Sequence, residues 1–137
     1  MENWIQKAID QWKEEELELN GGANSEEFEN AEAQIGYKFP EDFKKLYSVV
    51  NGFVDFEMRG FMLSLWSLER IVDNYKNKNG LIMFADHSLS ICQYGFNTYY
   101  EGIFRAYTHH QKGPISLIAQ SFQQMVELFN CDSEVLF

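Results

Sequence analysis

The spacing of apolar residues changes along the chain, and this change restricts the possible folds more than any other feature. Near the N-terminus, four apolar residues recur at i, i+3, i+4 and i+7, which is one face of a helix: Ile5, Ala8, Ile9 and Trp12. Between residues 53 and 107, short apolar runs are separated by turn residues, as in strands. A helical pattern returns after Ser121. This order predicts an α+β fold, with helices on one side of a mostly antiparallel sheet.

Three helices are predicted before residue 53: residues 2–18, from Asn24 or Ser25 to Gly36, and from Pro40 to Val50. The first is expected to stop at Asn20-Gly21-Gly22, after a run of glutamates that opposes the helix dipole. Asn24 and Glu27 have the spacing of a capping box, which favours a helix start there. Asn51-Gly52 is expected to end the third helix, because both residues tolerate a positive φ angle.

Strands are predicted over residues 53–56, 61–65, 81–85, 89–94 and 103–107, with a less certain edge strand at 115–118. The first two are expected to pair around Met58-Arg59-Gly60. Ser67 is expected to cap a short helix, and residues 77–80 to form a turn. Ser121 and Gln124 have capping-box spacing at the start of the last helix. We therefore expect about five or six strands.

The length of 137 residues and a hydrophobic share of 45% are typical of one globular domain, which we expect to span residues 1–137. Eleven basic residues against 21 acidic ones give a net charge of −10. Residues 1–33 carry ten acids and two lysines, a net charge of −8. This balance argues against direct nucleic-acid binding and against docking on anionic lipid. A basic protein partner fits the charge, as does solubility alone.

Cys92 and Cys131 lie far apart, with no pattern of a disulfide framework around them. The N-terminal segment carries charges within its apolar pattern, unlike a signal peptide, and no charge-free apolar run is long enough to span a membrane. These features predict a reduced, cytoplasmic protein. Cys92 is expected to be buried, whereas Cys131 is either buried or partly exposed at a helix end.

Asp86-His87-Ser88 contains the residue types of a hydrolytic triad, but as sequence neighbours. A triad needs three converging side chains, and adjacent residues of a tight turn point apart. We interpret this segment as a turn in which Asp86 accepts bonds from backbone amides. The histidines and cysteines show no metal-ligand spacing, and Gly21-Gly22 lacks the remainder of a phosphate-binding loop. The sequence therefore predicts no enzyme activity, no metal and no cofactor.

The order of several short motifs resembles the SUKH superfamily. The run EFENAEAQIGYKFPEDFKKLYSVVNGF, residues 27–53, is similar to its signature at these positions: Glu32, Gly36, Pro40, Phe43, Asn51 and Gly52. LSLWSLERI resembles the family's strand and following helix start, LIMFADHSLSICQYG its central hairpin, and IAQSFQQMVELF its closing helix. Residues 97–112 match no motif of the family. The signature residues themselves are interpreted as structural.

The resemblance implies a non-catalytic immunity protein that binds and neutralises a cognate polymorphic or contact-dependent bacterial toxin, often a nuclease. Fungal relatives imply an alternative, a regulatory module with an endogenous partner. The expected contact residues are Tyr99 and Tyr100 as anchors, Glu101 beside them and Asp86 on a hairpin turn. Loop tyrosines are typical of protein contacts, although a loop packed on its own domain is an equal alternative. The acids of residues 14–18 and 26–32 form either a solvated face or a binding patch. We expect a monomer or a weak homodimer.

Overall fold

The computed structural model describes residues 1–60, 62–75, 80–107 and 115–137. Its helices are α1 (Asn3–Glu14), α2 (Ser25–Ile35), α3 (Glu41–Tyr47), α4 (Leu68–Asn74) and α5 (Phe122–Asn130), followed by a 3₁₀ turn at Glu134–Leu136. Its strands are β1 (Leu19–Gly21), β2 (Val50–Phe53), β3 (Leu63–Leu65), β4 (Leu81–His87), β5 (Cys92–Asn97), β6 (Ile103–Tyr107) and β7 (Ser116–Ala119). The predicted α+β class is confirmed.

Strands β3 to β7 form one antiparallel sheet in sequence order, and β1 and β2 form a separate antiparallel pair. The predicted strand at residues 103–107 is confirmed, and so is the less certain edge strand, which pairs with β6 as β7. Sequence neighbours pair throughout the larger sheet, so each strand is joined to the next by a short connection or by α4.

The core is built largely from aromatic rings that join α3 and α5 to the sheet. The Phe43 ring of α3 lies 5.0 Å from the Phe122 ring of α5 and 5.5 Å from the Phe96 ring of β5. Phe84 of β4 lies 4.8 Å from Phe96 and 5.2 Å from Phe122. All four rings are buried, so this cluster fixes the distance between the helices and the sheet.

Three predicted helix starts are confirmed by their side-chain caps. Asn24 and Glu27 form the reciprocal capping box of α2, and Ser67 accepts the backbone N–H of Arg70 at the start of α4. At α5, Ser121 accepts the N–H of Gln124 as expected, but the Gln124 side chain accepts the N–H of Gln120 rather than that of Ser121. Local sequence therefore sets these starts.

The first predicted helix is too long. It ends at Glu14, and Glu16 adopts a positive φ of 60° within the glutamate run. Residues 19–21, which were expected to stop the helix, form β1 and pair with β2. Gly22 is needed there because a Cβ atom would lie 2.0 Å from the Ser48 carbonyl oxygen. Packing between distant segments therefore determines the structure of this stretch.

The third predicted helix is also too long, because α3 ends at Tyr47 and Asn51-Gly52 lies in β2. Gly52 has a φ of +69°, and a Cβ atom there would lie 2.4 Å from the Trp66 carbonyl oxygen. The Asn51 side chain accepts the N–H of Leu68 at 2.8 Å. The predicted pairing of strands 53–56 and 61–65 is therefore wrong. Strand β2 pairs with β1 instead, and β3 pairs with β4.

The hairpin between β4 and β5 is displaced from its prediction. Strand β4 extends to His87 rather than to residue 85, and β5 begins at Cys92 rather than at Leu89. Ser88, Leu89 and Ser90 have φ angles of 52°, 55° and 74°, which form a turn instead of the expected strand start. Of the predicted turn at 77–80, residues 77–79 lie outside the described ranges.

Arg59 joins the end of α1 to the end of α5. Its guanidinium donates to Glu15 at 2.9 and 3.0 Å, to Asp132 at 2.9 Å and to the Phe129 carbonyl oxygen at 2.6 Å. Arg59 is 5% exposed, so three segments of the chain meet at a buried charge whose acidic partners are paired with it. The segment that separates β2 from β3 is thereby fixed against both ends of the chain.

Candidate partner-binding surface

The loop between β5 and β6 presents three of the predicted contact residues to solvent. Tyr99 is 79% exposed and Tyr100 is 70% exposed, and Glu101 beside them is also exposed. Of the two alternatives left open by the sequence, the described residues therefore favour a loop that projects its tyrosines outward. Exposed tyrosine is a common anchor residue of protein interfaces.

The loop is held mainly through its main chain. The Thr98 N–H donates to the Gly80 carbonyl oxygen at 2.8 Å, and the Tyr99 N–H donates to the Asn97 side chain at 2.8 Å. Gly102, with a φ of +112°, returns the chain to β6, and a Cβ atom there would collide with Leu117. The tyrosines thus stand on an ordered backbone, which lowers the entropy lost when a partner binds.

A cavity of about 240 Å³ opens beside this loop. It is walled by residues from α3, from the β5–β6 loop and from the start of α5, including these: Tyr37, Asp42, Phe96, Tyr100, Glu101, Ile103, Gln120 and Phe122. The rings of Phe96 and Phe122 are buried at its base, while Tyr100 and Glu101 stand exposed at its rim. This pocket brings two of the predicted contact residues together with residues from three other segments.

Two carboxylates give this pocket a negative character. Asp42 accepts the backbone N–H groups of Phe43 and Gln123, each at 2.9 Å, and Glu101 also lines the pocket. Burial, with the charge of Asp42 as a second cause, raises the pKa of Tyr37 to about 12, so this phenol stays neutral. The described lining residues include no lysine or arginine.

Asp86 does not have the predicted environment. It lies in β4 rather than in a turn, is 3% exposed, and pairs with Arg70 of α4 at 3.3 Å. The Ser90 hydroxyl donates to the same carboxylate at 2.6 Å, in place of the expected backbone amides. A buried carboxylate needs such partners because desolvation is costly. In this conformation Asp86 is positioned to order the hairpin rather than to touch a partner directly.

The triad residues likewise do not converge. His87 Nδ1 lies 2.9 Å from the Ser88 hydroxyl, but the Asp86 carboxylate is directed to Arg70 and Ser90. Burial lowers the pKa of His87, which keeps the imidazole neutral. Among the described residues, the second ring nitrogen of His87, Nε2, is buried without a hydrogen-bond partner, so no third group orients this histidine as a general base.

Both cysteines are free thiols, Cys92 buried and Cys131 exposed, which settles the alternative left open for Cys131. Burial raises the pKa of Cys92 to about 11, so its thiol is unreactive at neutral pH. Within residues 1–60, 62–75, 80–107 and 115–137, no three metal-ligating side chains cluster. His109 and His110, together with the predicted loop at 108–113, lie outside the described residues. None of the described helices is long and apolar enough to cross a membrane.

A second concave surface lies between α2 and α4. This groove of about 580 Å³ is lined by four carboxylates, by amide side chains and by a few apolar residues, and the acids are these: Glu27, Asp55, Glu69 and Asp73. Sequence reasoning missed this groove and the pocket near Tyr100, because each is assembled from segments far apart in the chain. The local feature of the sequence that relates to these two surfaces is the presence of acids in the first turns of α2, α3 and α4.

A family of known proteins matches this chain over residues 22–128. The chain belongs to the SMI1 / KNR4 family (SUKH-1). This confirms the resemblance drawn from the motifs. The SUKH-1 family typically comprises immunity proteins against polymorphic toxins, and its members are generally non-catalytic. A search of curated proteins found no match for the chain.

The signature residues of this SUKH-1 chain make structural contacts. The Glu32 carboxylate accepts the N–H of Phe39 at 2.8 Å and pairs with Lys44 at 2.9 Å, which ties α2 to α3. Gly36 ends α2 in the left-handed conformation, and Gly52 allows the close approach of Trp66. These residues of the family motif therefore support the fold.

Proposed function

We propose that this SUKH-1 chain is an immunity protein that binds a cognate toxin domain in the cytoplasm and neutralises it without catalysis. The observation that carries the proposal is the exposed Tyr99-Tyr100 pair beside an acidic pocket, on a fold whose family typically serves this role. Neutralisation then follows from occupying the toxin's active surface. A contact-dependent or polymorphic nuclease is the toxin class that best suits the charge.

The charge distribution supports a basic partner. The chain has a net charge of −10, and both concave surfaces described above are lined by carboxylates. Nucleases bind phosphate backbones and need basic surfaces to do so. A negative inhibitor is steered toward such a surface, and steering raises association rates by roughly 10 to 1,000-fold at low salt. The acids that keep the chain from binding nucleic acid would thus favour binding to a protein that does.

Tyr99, Tyr100 and Glu101 are the direct contact residues in this proposal. Tyrosine buries a large apolar area with little loss of side-chain freedom, and its hydroxyl finds a partner at the wet rim. Glu101 adds a charge next to these rings. Asp86 contributes only indirectly, through the Arg70 ion pair that fixes the β4–β5 hairpin.

The test uses the toxin domain encoded beside this chain's gene, co-expressed and purified with it. We expect a one-to-one complex and protection of the host cell from the toxin. Tyr99→Ala combined with Tyr100→Ala should weaken binding about 30-fold or more, in the range of interface hot spots. Phe56→Ala is the matched control, because Phe56 is an aromatic residue that is also 79% exposed.

Equal loss of affinity in the control variant would show that these tyrosines are not a specific contact. Absence of a complex with the adjacent toxin, together with a one-to-one complex with an endogenous protein, would replace the proposal with the regulatory alternative. Circular dichroism of each variant separates loss of binding from loss of fold.

A further inference from the structure

The pocket beside Tyr100 has the size and chemistry for one side chain of a partner protein. Its volume of about 240 Å³ lies below the roughly 300–1,000 Å³ of sites for drug-sized ligands. Interface anchors, in contrast, are single side chains in desolvated pockets. The base is apolar, with Phe96, Ile103 and Phe122 each at most 2% exposed. The occupant therefore needs an apolar stem.

The carboxylates at the rim favour an occupant with a positive charge at the end of its apolar stem. Asp42 and Glu101 both line the pocket, and the described lining residues offer no cation to them. An apolar occupant would desolvate both carboxylates without supplying a positive charge, and this is costly even for Asp42, whose two backbone N–H bonds do not neutralise its charge. An acidic occupant would be repelled. The positive end of α5 does not reverse this preference, because Asp42 accepts its Gln123 N–H and Ser121 accepts its Gln124 N–H.

Between the two cationic side chains, the walls favour arginine. Tyr37 and Tyr100 both line the pocket, and aromatic rings are favourable contacts for a planar guanidinium whose N–H groups pair with carboxylates. The chain uses this arrangement elsewhere for itself. The Arg70 guanidinium lies 4.4 Å from the centre of the Trp66 ring and pairs with Asp86 at 3.3 Å.

We infer that this pocket binds an arginine side chain of the toxin and anchors it between Asp42 and Glu101. The inference rests on the proposed function, because it names the residue type by which that partner would be held. It also gives the acidic surface a specific role in recognition beyond long-range steering. Tyr100, which lines the pocket, would pack against the aliphatic stem of this arginine.

The inference can be tested without the toxin. The ¹⁵N-labelled chain is titrated with N-acetyl-arginine amide and, at the same ionic strength, with the corresponding lysine, norleucine and glutamate amides. At about 20 mM, a site with a millimolar Kd is nearly filled. We expect amide shifts at Phe96, Ile103 and residues 120–122 with the arginine probe, and weaker binding of each of the other three probes.

Two variants make the outcome specific. Glu101→Gln should raise the Kd of the arginine probe about two- to fivefold, as expected for an exposed charge pair. Asp42→Asn combined with Glu101→Gln should abolish the shifts. Asparagine has one oxygen for the two backbone N–H groups, of Phe43 and Gln123, that the Asp42 carboxylate accepts, so circular dichroism checks that this double variant keeps α3 and α5. Glu29→Gln is the charge-matched control, since Glu29 is exposed on α2 away from the pocket.

Absent shifts in the wild-type chain, equal binding of norleucine or lysine, or equal weakening by Glu29→Gln would each overturn the inference. If a toxin complex forms but the arginine probe does not bind, the arginine inference is overturned and the proposed function still stands. Binding of the probe without a toxin complex would leave the pocket's specificity intact and count against the proposed function.

Discussion

At the scale of single residues, Arg59 shows how one side chain stabilises three separate segments. It is buried, yet its two acidic partners are each about one third exposed at 34%. The ion pairs therefore remain partly solvated, whereas the bond to the Phe129 carbonyl oxygen is buried. Removal of the guanidinium would take the charged donor from that carbonyl and leave it with longer backbone bonds, such as the one from the Asp132 N–H at 3.4 Å, so its strongest hydrogen bond is lost.

Arg59→Met should lower the free energy of unfolding by about 2–3 kcal/mol, since it removes a buried charged donor whose partners are only partly able to rehydrate. Urea unfolding followed by tryptophan fluorescence measures the change. Lys45→Met serves as the control: Lys45 pairs with Glu2 at 3.5 Å on the surface, and its loss should cost no more than about 0.5 kcal/mol.

The same prediction has a pH dependence. The hydrogen bond from Arg59 lowers the pKa of Glu15 below its ordinary value of 4.5. A depressed carboxyl pKa contributes stability above the unfolded value, and this contribution is lost as the pH falls through the folded value. The difference in stability between the wild type and Arg59→Met should therefore shrink below pH 4.5. A difference that stays constant down to pH 3 would show that Glu15 contributes little.

At the scale of secondary-structure elements, the sequence correctly predicted the helix starts that are fixed by hydrogen bonds between residues close together in the chain. The caps of α2, α4 and α5 each depend on residues three apart, so a short pattern contains the whole interaction. Strand β1 was missed because the strand it pairs with, β2, lies about 30 residues away in the chain. Asp86 was misplaced for the same reason, because its partner Arg70 lies on a separate helix. The pocket near Tyr100 is built from four segments, so the sequence marks Asp42 only as an acid in the first turn of a helix and does not place it near Tyr37 or Tyr100.

Gly52 allows the most direct test at this scale. Gly52→Ala should destabilise the chain by more than about 3 kcal/mol, because the new methyl group would meet the Trp66 backbone in addition to the strain of a positive φ. Gly36→Ala separates the two causes. Gly36 has a similar φ of +67° but nothing within 4 Å, so the change should cost only about 1–2 kcal/mol. Thermal unfolding with equal losses in both variants would contradict the close-approach explanation.

At the scale of the whole molecule, the acid excess is concentrated toward the N-terminus but also lines both concave surfaces. Long-range charge acts on the rate of encounter, while contacts act on the rate of dissociation. Measuring the association rate and the dissociation rate separately therefore decides whether the acids at the end of α1 form a binding patch or a solvated face.

Raising the salt concentration should slow association with the toxin about tenfold or more and leave dissociation nearly unchanged. Replacement of Glu14, Glu16 and Glu18 by glutamine should slow association in low salt by a smaller factor, again with little effect on dissociation. Stopped-flow binding measures both rates. Faster dissociation in this variant would place the end of α1 inside the interface.

The backbone bonds that hold the loop at residues 98–102 separate two kinds of sequence requirement. Asn97, Gly80 and Gly102 set the path of the loop, while the side chains of Tyr99 and Tyr100 are mostly exposed, with the Tyr99 ring beside Gly80. Replacing these two exposed side chains should therefore cost little stability. Under the proposed function, an engineered copy of the same scaffold would be directed to a different toxin by substitutions at positions 99 and 100 alone.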